Sequence, residues 1–501
     1  MTSIKTVLLG SAASIVAVGA AQAADLPVKK AAAAVQYVEA CPAYGKGFYK
    51  LPGTNICVKY FGLMKFIGGW WDPGGDVVRE SRPERVIEKK TMDKVGWEWS
   101  VRPGWDFRAP TEFGTLRSVV QIRGDERSGI FERRGLRLAG GTAGPQSNVG
   151  GLHSVGIYRG YIEWAGFIVG RTGSQFDYWG ADDMISSFGG SPQSDSTTTL
   201  TYVWSLPGGV QATIGLEDTE TFQGHVRKVS GIQSNPQPSI STISDQGPKR
   251  AYDIVATLST EQSWGSAKIA GAAHRISVIT NSFTGQDCTY APGGAKSGSC
   301  PSKQTWGWAA LAGITLNLPQ LGKGDQITIE GTYANGAIAY AGVNGGGDVN
   351  PGSGERVGQW TGGLVRANDS DAFLVNNGDG TFKLEKEKAY SIVGQLRHYW
   401  TPMLRSNLAV GKTWLRPPDD IHFPRITAGG LGDADVLDVS ANLIWGKKRE
   451  TAEIGVEVMY KKVNQDLPTS TTIAGGGNGL PNGIDQNPSA WGVDAIIRRD
   501  W

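Results

Sequence analysis

The chain has 501 residues and a formal net charge of +2, so its charge does not predict a nucleic acid or another polyanion as a partner. Its 71 glycines, 17 tryptophans and 40% hydrophobic content suit strands that are half apolar and half polar. Beyond the N-terminus it holds no apolar run of the roughly 18 or more residues that a membrane-spanning helix needs.

The first predicted element is a secretory signal peptide at residues 1–23. Lys5 precedes an apolar run from Val7 to Ala21, and Ala21-Gln22-Ala23 is a small-residue cleavage site. The alternative, a membrane anchor helix, needs a longer apolar run. Residues 24–55 are then expected to form an N-terminal periplasmic segment, and residues 56–501 a single β-domain.

Sixteen stretches of alternating hydrophobic and polar residues follow one another from Val58 to Trp501. In the clearest of them, Glu98 and Asp106 alternate with tryptophans, which predicts a strand with one polar and one apolar face. Each stretch has about the 9–11 residues that a tilted strand needs to cross a membrane.

The connections between the stretches alternate strictly in length. Outer-membrane barrels have short turns at the periplasmic end and long loops at the extracellular end. We therefore predict an all-β fold, a transmembrane antiparallel β-barrel of 16 strands; the alternative is a large soluble β-protein. The eight long connections lie near residues 72–95, 128–152, 174–198, 218–250, 277–303, 337–386, 416–434 and 464–489.

Four cysteines in an exported chain predict two disulfide bonds. Cys41 and Cys57 flank the start of the first strand, and Cys288 and Cys300 lie within one long loop. We expect nearest neighbours to pair, out of three possible connectivities. The alternative is a metal site, but neither pair has CxxC spacing or an adjacent histidine.

Several segments are similar to those of the alphaproteobacterial general porins. They include "CPAYGKGFYKLPGTNICVKYFG", "PTEFGTLR", "YIEWAGFIVGRT" and "HYWTPMLRSNLAVGKTW". The resemblance implies a sixteen-stranded outer-membrane porin, normally a homotrimer, that lets small hydrophilic solutes diffuse passively. It further implies contacts with outer-membrane lipid and lipopolysaccharide. The barrel-assembly machinery is expected to bind the C-terminal strand, which ends at Trp501 where phenylalanine is usual.

Strand parity predicts which side chains line the lumen of such a barrel. A barrel of 16–18 strands leaves a water channel, so polar faces point inward. An arc of arginines is expected on three neighbouring strands, unless these are simply polar residues of a wet face. The arginines are Arg102, Arg108, Arg117, Arg123 and Arg159.

The resemblance also indicates that the third long loop folds into the lumen. This loop carries Asp177, Asp182 and Asp183 and contains no lysine or arginine. Acidic groups facing an arginine arc produce a transverse field that orients permeating ions. The alternative is an exposed acidic loop that lines no constriction.

The sequence favours a channel over an enzyme. None of the histidines, His153, His225, His274, His398 and His422, has a recognisable serine partner or an HExxH pattern, so no catalytic residue, metal or cofactor is predicted. The remaining alternative is a solute-specific or gated outer-membrane channel of the same fold. An aromatic track in the lumen is the feature expected of it.

Overall fold

The computed structural model describes most of the predicted strands and parts of the long loops. No helix among the described residues is long and apolar enough to cross a membrane. The described residues are 39–73, 77–79, 86–88, 94–131, 152–181, 183–185, 197–218, 226–230, 239–244, 251–279, 302–343, 370–376, 382–419, 432–447, 450–466, 487 and 489–501.

Sixteen of the described strands form one closed antiparallel barrel in which each strand pairs with its neighbours in the chain. The predicted fold class is thus confirmed. In chain order, the barrel strands are β2 (Cys57–Pro73), β5 (Val95–Thr111), β6 (Gly114–Gly129), β7 (Leu152–Trp164), β8 (Phe167–Thr172), β9 (Thr197–Leu206), β10 (Val210–Asp218), β13 (Asp253–Gln262), β14 (Gly265–Ile279), β15 (Ser302–Asn317), β16 (Gln326–Asn335), β19 (Lys388–Thr401), β20 (Leu404–Arg416), β21 (Ala434–Trp445), β22 (Ala452–Gln465) and β23 (Ser489–Asp500).

The barrel closes where β23 pairs with β2, from Leu63 opposite Asp500 to Pro73 opposite Ala490. Trp501 extends this seam, because its N–H donates to the Gly62 carbonyl at 3.0 Å and its carbonyl accepts from the Gly62 N–H at 3.2 Å. Closure leaves no free sheet edge along the paired length.

The predicted alternation of faces is seen directly in the burial of side chains. On β22, Glu457 is fully buried, whereas its neighbours Val456 and Val458 are 49% and 44% exposed. Residues alternate between the two faces of a strand, so the exposed apolar side chains form the outer belt. The polar side chains point into the lumen.

Seven further described strands lie outside the sixteen-stranded barrel. Two pairs of loop strands, from the fourth and sixth long loops, join in a four-stranded sheet. These strands are β1 (Phe48–Lys50), β3 (Val77–Arg79), β4 (Val86–Glu88), β11 (Val226–Ser230), β12 (Ser239–Ser244), β17 (Ala372–Asn376) and β18 (Phe382–Lys386).

The N-terminal strand β1 forms a small hairpin with the start of β2. Phe48 pairs with Lys59, and Lys50 pairs with Cys57. Cys41 is bonded to Cys57, which confirms the first predicted disulfide. The second predicted pair, Cys288 and Cys300, lies outside the described residues.

Candidate functional site in the lumen

The predicted arginine arc lies on one wall of the barrel. β5, β6 and β7 are consecutive neighbours, and their polar faces point inward because Trp97, Trp99 and Ile157 are exposed on the outer face. Arg117 pairs across the strands with Arg108 on one side and with Glu163 on the other. This surface, here called the arginine wall, consists of Arg102, Arg108, Arg117, Arg123 and Arg159.

Carboxylates are interleaved with the arginines on this wall. Asp106 accepts ion pairs from Arg108 at 2.9 Å and from Arg117 at 3.1 Å. Arg117 also reaches Glu163 at 2.9 Å. Arg108 and Arg117 therefore belong to a network of fixed charges, in which each guanidinium is held in place by its carboxylate partners.

A β-bulge in β7 explains why alternation on this strand is irregular. Gln121 pairs with Arg159 whereas the next residue, Ile122, pairs with Ile157, so Tyr158 is an extra residue without an opposite partner. A bulge changes the face of the strand on which the side chains on one side of it lie, relative to those on the other side. Ile157 consequently lies on the outer face although it has the same sequence parity as Arg159.

Three arginines of the wall surround the ring of Tyr158. The Cζ atom of Arg102 lies 4.6 Å from the ring centroid, that of Arg159 lies 5.3 Å from it and that of Arg123 lies 5.7 Å from it. Cations within about 6 Å of a ring centroid are attracted by its quadrupole. Strand parity did not identify Tyr158, because the bulge changes the parity at this position.

The third long loop runs inside the barrel, as the resemblance implied. At its start, the Ser174 hydroxyl and the Gln175 N–H donate to Glu217 of β10, each at 2.7 Å. Tyr178 then donates to Thr315 of β15 at 2.8 Å. The loop is thus attached to inward-facing side chains of β10 and β15, and not to the rim of the barrel.

Further along the third loop, its backbone N–H groups donate to buried carboxylates of other barrel strands. The Trp179 N–H donates to Glu330 at 2.7 Å, and the Ile185 N–H donates to Glu457 at 2.9 Å. Because each carboxylate satisfies a backbone N–H that would otherwise be buried without a partner, the acids of β10, β16 and β22 determine the path of the loop.

The predicted acidic residues of the loop have different environments. Asp183 forms an ion pair with Arg397 at 2.9 Å and lies 4.0 Å from Arg405. The backbone carbonyl of Asp177 accepts from Lys268 at 2.7 Å. Asp182 lies outside the described residues. The sequence patterns did not identify Arg397 of β19 and Arg405 of β20. These two arginines hold the loop against the inner face of their own strands.

A second loop segment also fills part of the lumen. A 3-10 turn, Ile338–Ala341, follows β16 and is buried completely. The Tyr340 ring packs edge-on against Phe176 of the third loop, with centroids 4.7 Å apart. Small inward residues make room for it, a set that includes Ala270, Ala272, Ala309, Ala334, Ala389 and Ala434.

A buried polar cluster secures this turn. Tyr340 donates its hydroxyl to Asp253 at 2.9 Å, and His274 Nδ1 lies 2.9 Å from the same carboxylate. Asp371 lies 3.4 Å from His274 Nε2 and accepts from the Ile338 N–H at 2.9 Å. In the described part of the chain, no cluster of three or more histidine, cysteine or acidic side chains has the arrangement of a metal site.

Comparison with known proteins agrees with the geometry of the barrel. Residues 25–403 match the model of a family described as "Porin subfamily". Porin Omp2b of Brucella suis biovar 1 (strain 1330) is 28% identical over 343 residues, covering 64% of this chain and 82% of that protein. Porin Omp2b of Brucella neotomae is 29% identical over 336 residues, covering 62% and 80%.

A solved structure shares the fold. The outer membrane channel DcaP of Acinetobacter baumannii superposes with a TM-score of 0.55 and 15% sequence identity, covering 90% of this chain and 99% of that one. The family match spans well over half of the chain, and the closed sixteen-stranded barrel is the architecture that such a match predicts. The chain belongs to the porin family and forms a channel in the outer membrane.

Proposed function

We propose that this porin lets small hydrophilic solutes and ions diffuse passively across the outer membrane. The observation that supports this most directly is the attachment of the third loop to the inward faces of β10, β14 to β16 and β19 to β22. The loop and the buried turn after β16 occupy that side of the lumen. The water path therefore runs between the loop and the arginine wall.

The constriction is formed, in this proposal, by the five arginines of the arginine wall and by Asp177, Asp182 and Asp183 of the loop. Fixed charges of opposite sign on two sides of a narrow path create a field across it. Ions of the two signs then pass along different sides. Asp183 acts partly through its pairing with Arg397, which positions the loop.

The assembled protein is proposed to be a homotrimer surrounded by outer-membrane lipid and lipopolysaccharide. Residues 1–23 are its signal peptide, residues 24–55 lie in the periplasm, and the barrel-assembly machinery binds the strand that ends at Trp501. Membership of the porin family implies a channel rather than an enzyme, and we propose that the chain has no catalytic activity and needs no cofactor.

Conductance in a planar bilayer tests the proposal. When purified, detergent-extracted protein inserts into the bilayer, the current should rise in groups of three equal steps, one for each channel of a trimer. The reversal potential across a KCl gradient gives the sign of ion selectivity. Folded, heat-modifiable protein that produced no open channels would contradict passive diffusion. It would favour a gated or solute-specific channel of the same fold.

A further inference from the structure

The cluster around Tyr158 contains positive charge that the carboxylates of the arginine wall do not balance. Arg123 is paired, because its Nε donates to Asp125 at 2.5 Å. Among the described residues, however, neither Arg102 nor Arg159 has a carboxylate within ion-pair distance. The two guanidinium groups nevertheless flank the same ring.

The hydrogen bonding of these two arginines is also incomplete. In the described part of the chain, Arg159 Nε is buried and has no acceptor. Arg102 Nε donates to the neutral hydroxyl of Ser100, at 3.4 Å. A buried donor without an acceptor is uncommon in native proteins. Arg102 and Arg159 therefore keep N–H donors that the described residues do not satisfy.

The Tyr158 ring holds the two cations without neutralising them. A ring quadrupole attracts a guanidinium, but the ring carries no net negative charge. The bulge in β7 places Tyr158 and Arg159 next to each other, and β5 brings Arg102 to the same ring. The result is a positioned pair of planar donors on the wall of the water path.

We propose that Arg102 and Arg159, held by Tyr158, form a docking station for oxyanionic solutes that carry a carboxylate or a phosphate. Guanidinium groups match both anions through two parallel N–H donations. A bound oxyanion would accept from the terminal N–H groups of the two guanidinium groups and offset the repulsion between the two cations. The station rests on the proposed function, because it lies in the same water path.

Block of the open channel measures this binding. KCl conductance of the full-length channel is recorded while inorganic phosphate or succinate is added. The proposal expects a saturable fall in current with both anions. Block by phosphate alone would restrict the station to phosphates, whereas block by succinate alone would restrict it to carboxylates. An open channel whose current neither anion lowers would overturn the station and leave the proposed diffusion pore intact.

Three variants locate the effect. Arg102→Gln and Arg159→Gln should each raise the half-blocking concentration at least tenfold, and Tyr158→Leu should weaken block while KCl current persists. The matched control is Arg275→Gln, which removes the same charge from a residue of β14 whose guanidinium lies over the Trp306 ring. Equal block in all four variants would place binding elsewhere and overturn the assignment. Heat-modifiable migration in gel electrophoresis verifies that each variant has folded.

Discussion

At the scale of single residues, the lumen depends on paired charges. Asp183 is an example, because the sequence marks it only as one acid in an acidic loop. Its pairing with Arg397 and its proximity to Arg405 became visible only with the fold, since β19 and β20 lie more than two hundred residues further along the chain. Strand parity predicts which way a side chain points, but not which distant strand faces it.

Removal of the loop carboxylates tests the transverse field. The double variant Asp182→Asn and Asp183→Asn should shift ion selectivity toward anions, because it leaves Arg397 without its partner and the arginine wall unopposed. Charges in 0.1 M salt act over about 10 Å, so removing these two charges should raise the anion-to-cation permeability ratio of the path beside them. The reversal potential in a KCl gradient measures it. The control is Asp72→Asn, which removes a charge from the exposed ion pair between Asp72 and Lys94. Unchanged selectivity in the double variant would show that Asp182 and Asp183 do not line the constriction.

Asp325 makes one short-turn connection sensitive to acid. Burial acts to raise its pKa, but the backbone N–H of Tyr399 at 2.8 Å and the imidazole of His398 at 2.6 Å hold that pKa below its usual value. A carboxylate with a depressed folded-state pKa contributes stability at neutral pH. That contribution is lost as the pH falls below about 4, the ordinary range of aspartate.

The melting temperature of Asp325→Asn checks this dependence. The variant should melt below the wild type at pH 7, and the difference should shrink toward pH 3, because the carboxyl of the unfolded wild type then binds a proton and the unfolded state is favoured. Asp72→Asn should show little difference at either pH, since its partner is exposed. A difference for Asp325→Asn that stayed constant between the two pH values would show that the charge is not the cause.

At the scale of elements, the barrel strands were predictable from the sequence, whereas most of the structure within the long loops was not. Alternation identified all sixteen barrel strands because lipid and water impose opposite demands on the two faces of each strand. It failed at Tyr158, where one additional residue exchanges the faces. It also gave no sign that Ile338–Ala341 enters the lumen, because the burial of that turn depends on small residues from five strands of the barrel.

The carboxylate of Glu217 should control how far the third loop narrows the path. Glu217→Ala leaves the Ser174 hydroxyl and the Gln175 N–H without their acceptor, a loss of about 1.5–3 kcal/mol for each hydrogen bond to a charged group. We expect faster entry of larger sugars in liposome swelling. Glu261→Ala, at an exposed site on β13, should leave swelling unchanged. If both variants behaved as the wild type, the loop would be held by its other contacts alone.

The Cys41–Cys57 bond should stabilise the N-terminal hairpin locally. The bond joins residues 16 apart, and the chain-entropy estimate for a ring of this size is about 3 kcal/mol. In the double variant Cys41→Ser and Cys57→Ser, hydrogen exchange should accelerate at Phe48 to Lys50 but not in β20 or β21. Equal protection with and without the bond would mean that packing of Phe48 against Arg108, at 4.7 Å, suffices.

At the scale of the whole molecule, the outer surface must match a hydrocarbon solvent. Val458 lies in the middle of β22 and is 44% exposed on the outer face. Val458→Arg should destabilise the folded barrel in lipid vesicles by about 2–4 kcal/mol, the cost of arginine near the bilayer midplane. Val458→Leu is the matched control and should change little. Denaturant titration of vesicle-inserted protein measures both, and equal stability would place this surface outside the membrane.

The seam between β2 and β23 has a consequence for the order in which the molecule can form. Every other pairing in the barrel joins strands that are neighbours in the chain, but the pairing of β2 with β23 must wait for the last strand of the barrel. Until then, an incomplete sheet has two open edges, which readily pair with other chains. Release from the site of insertion before Trp501 meets Gly62 would therefore produce an aggregation-prone ribbon, so a productive assembly pathway has to shield both edges until the last strand arrives.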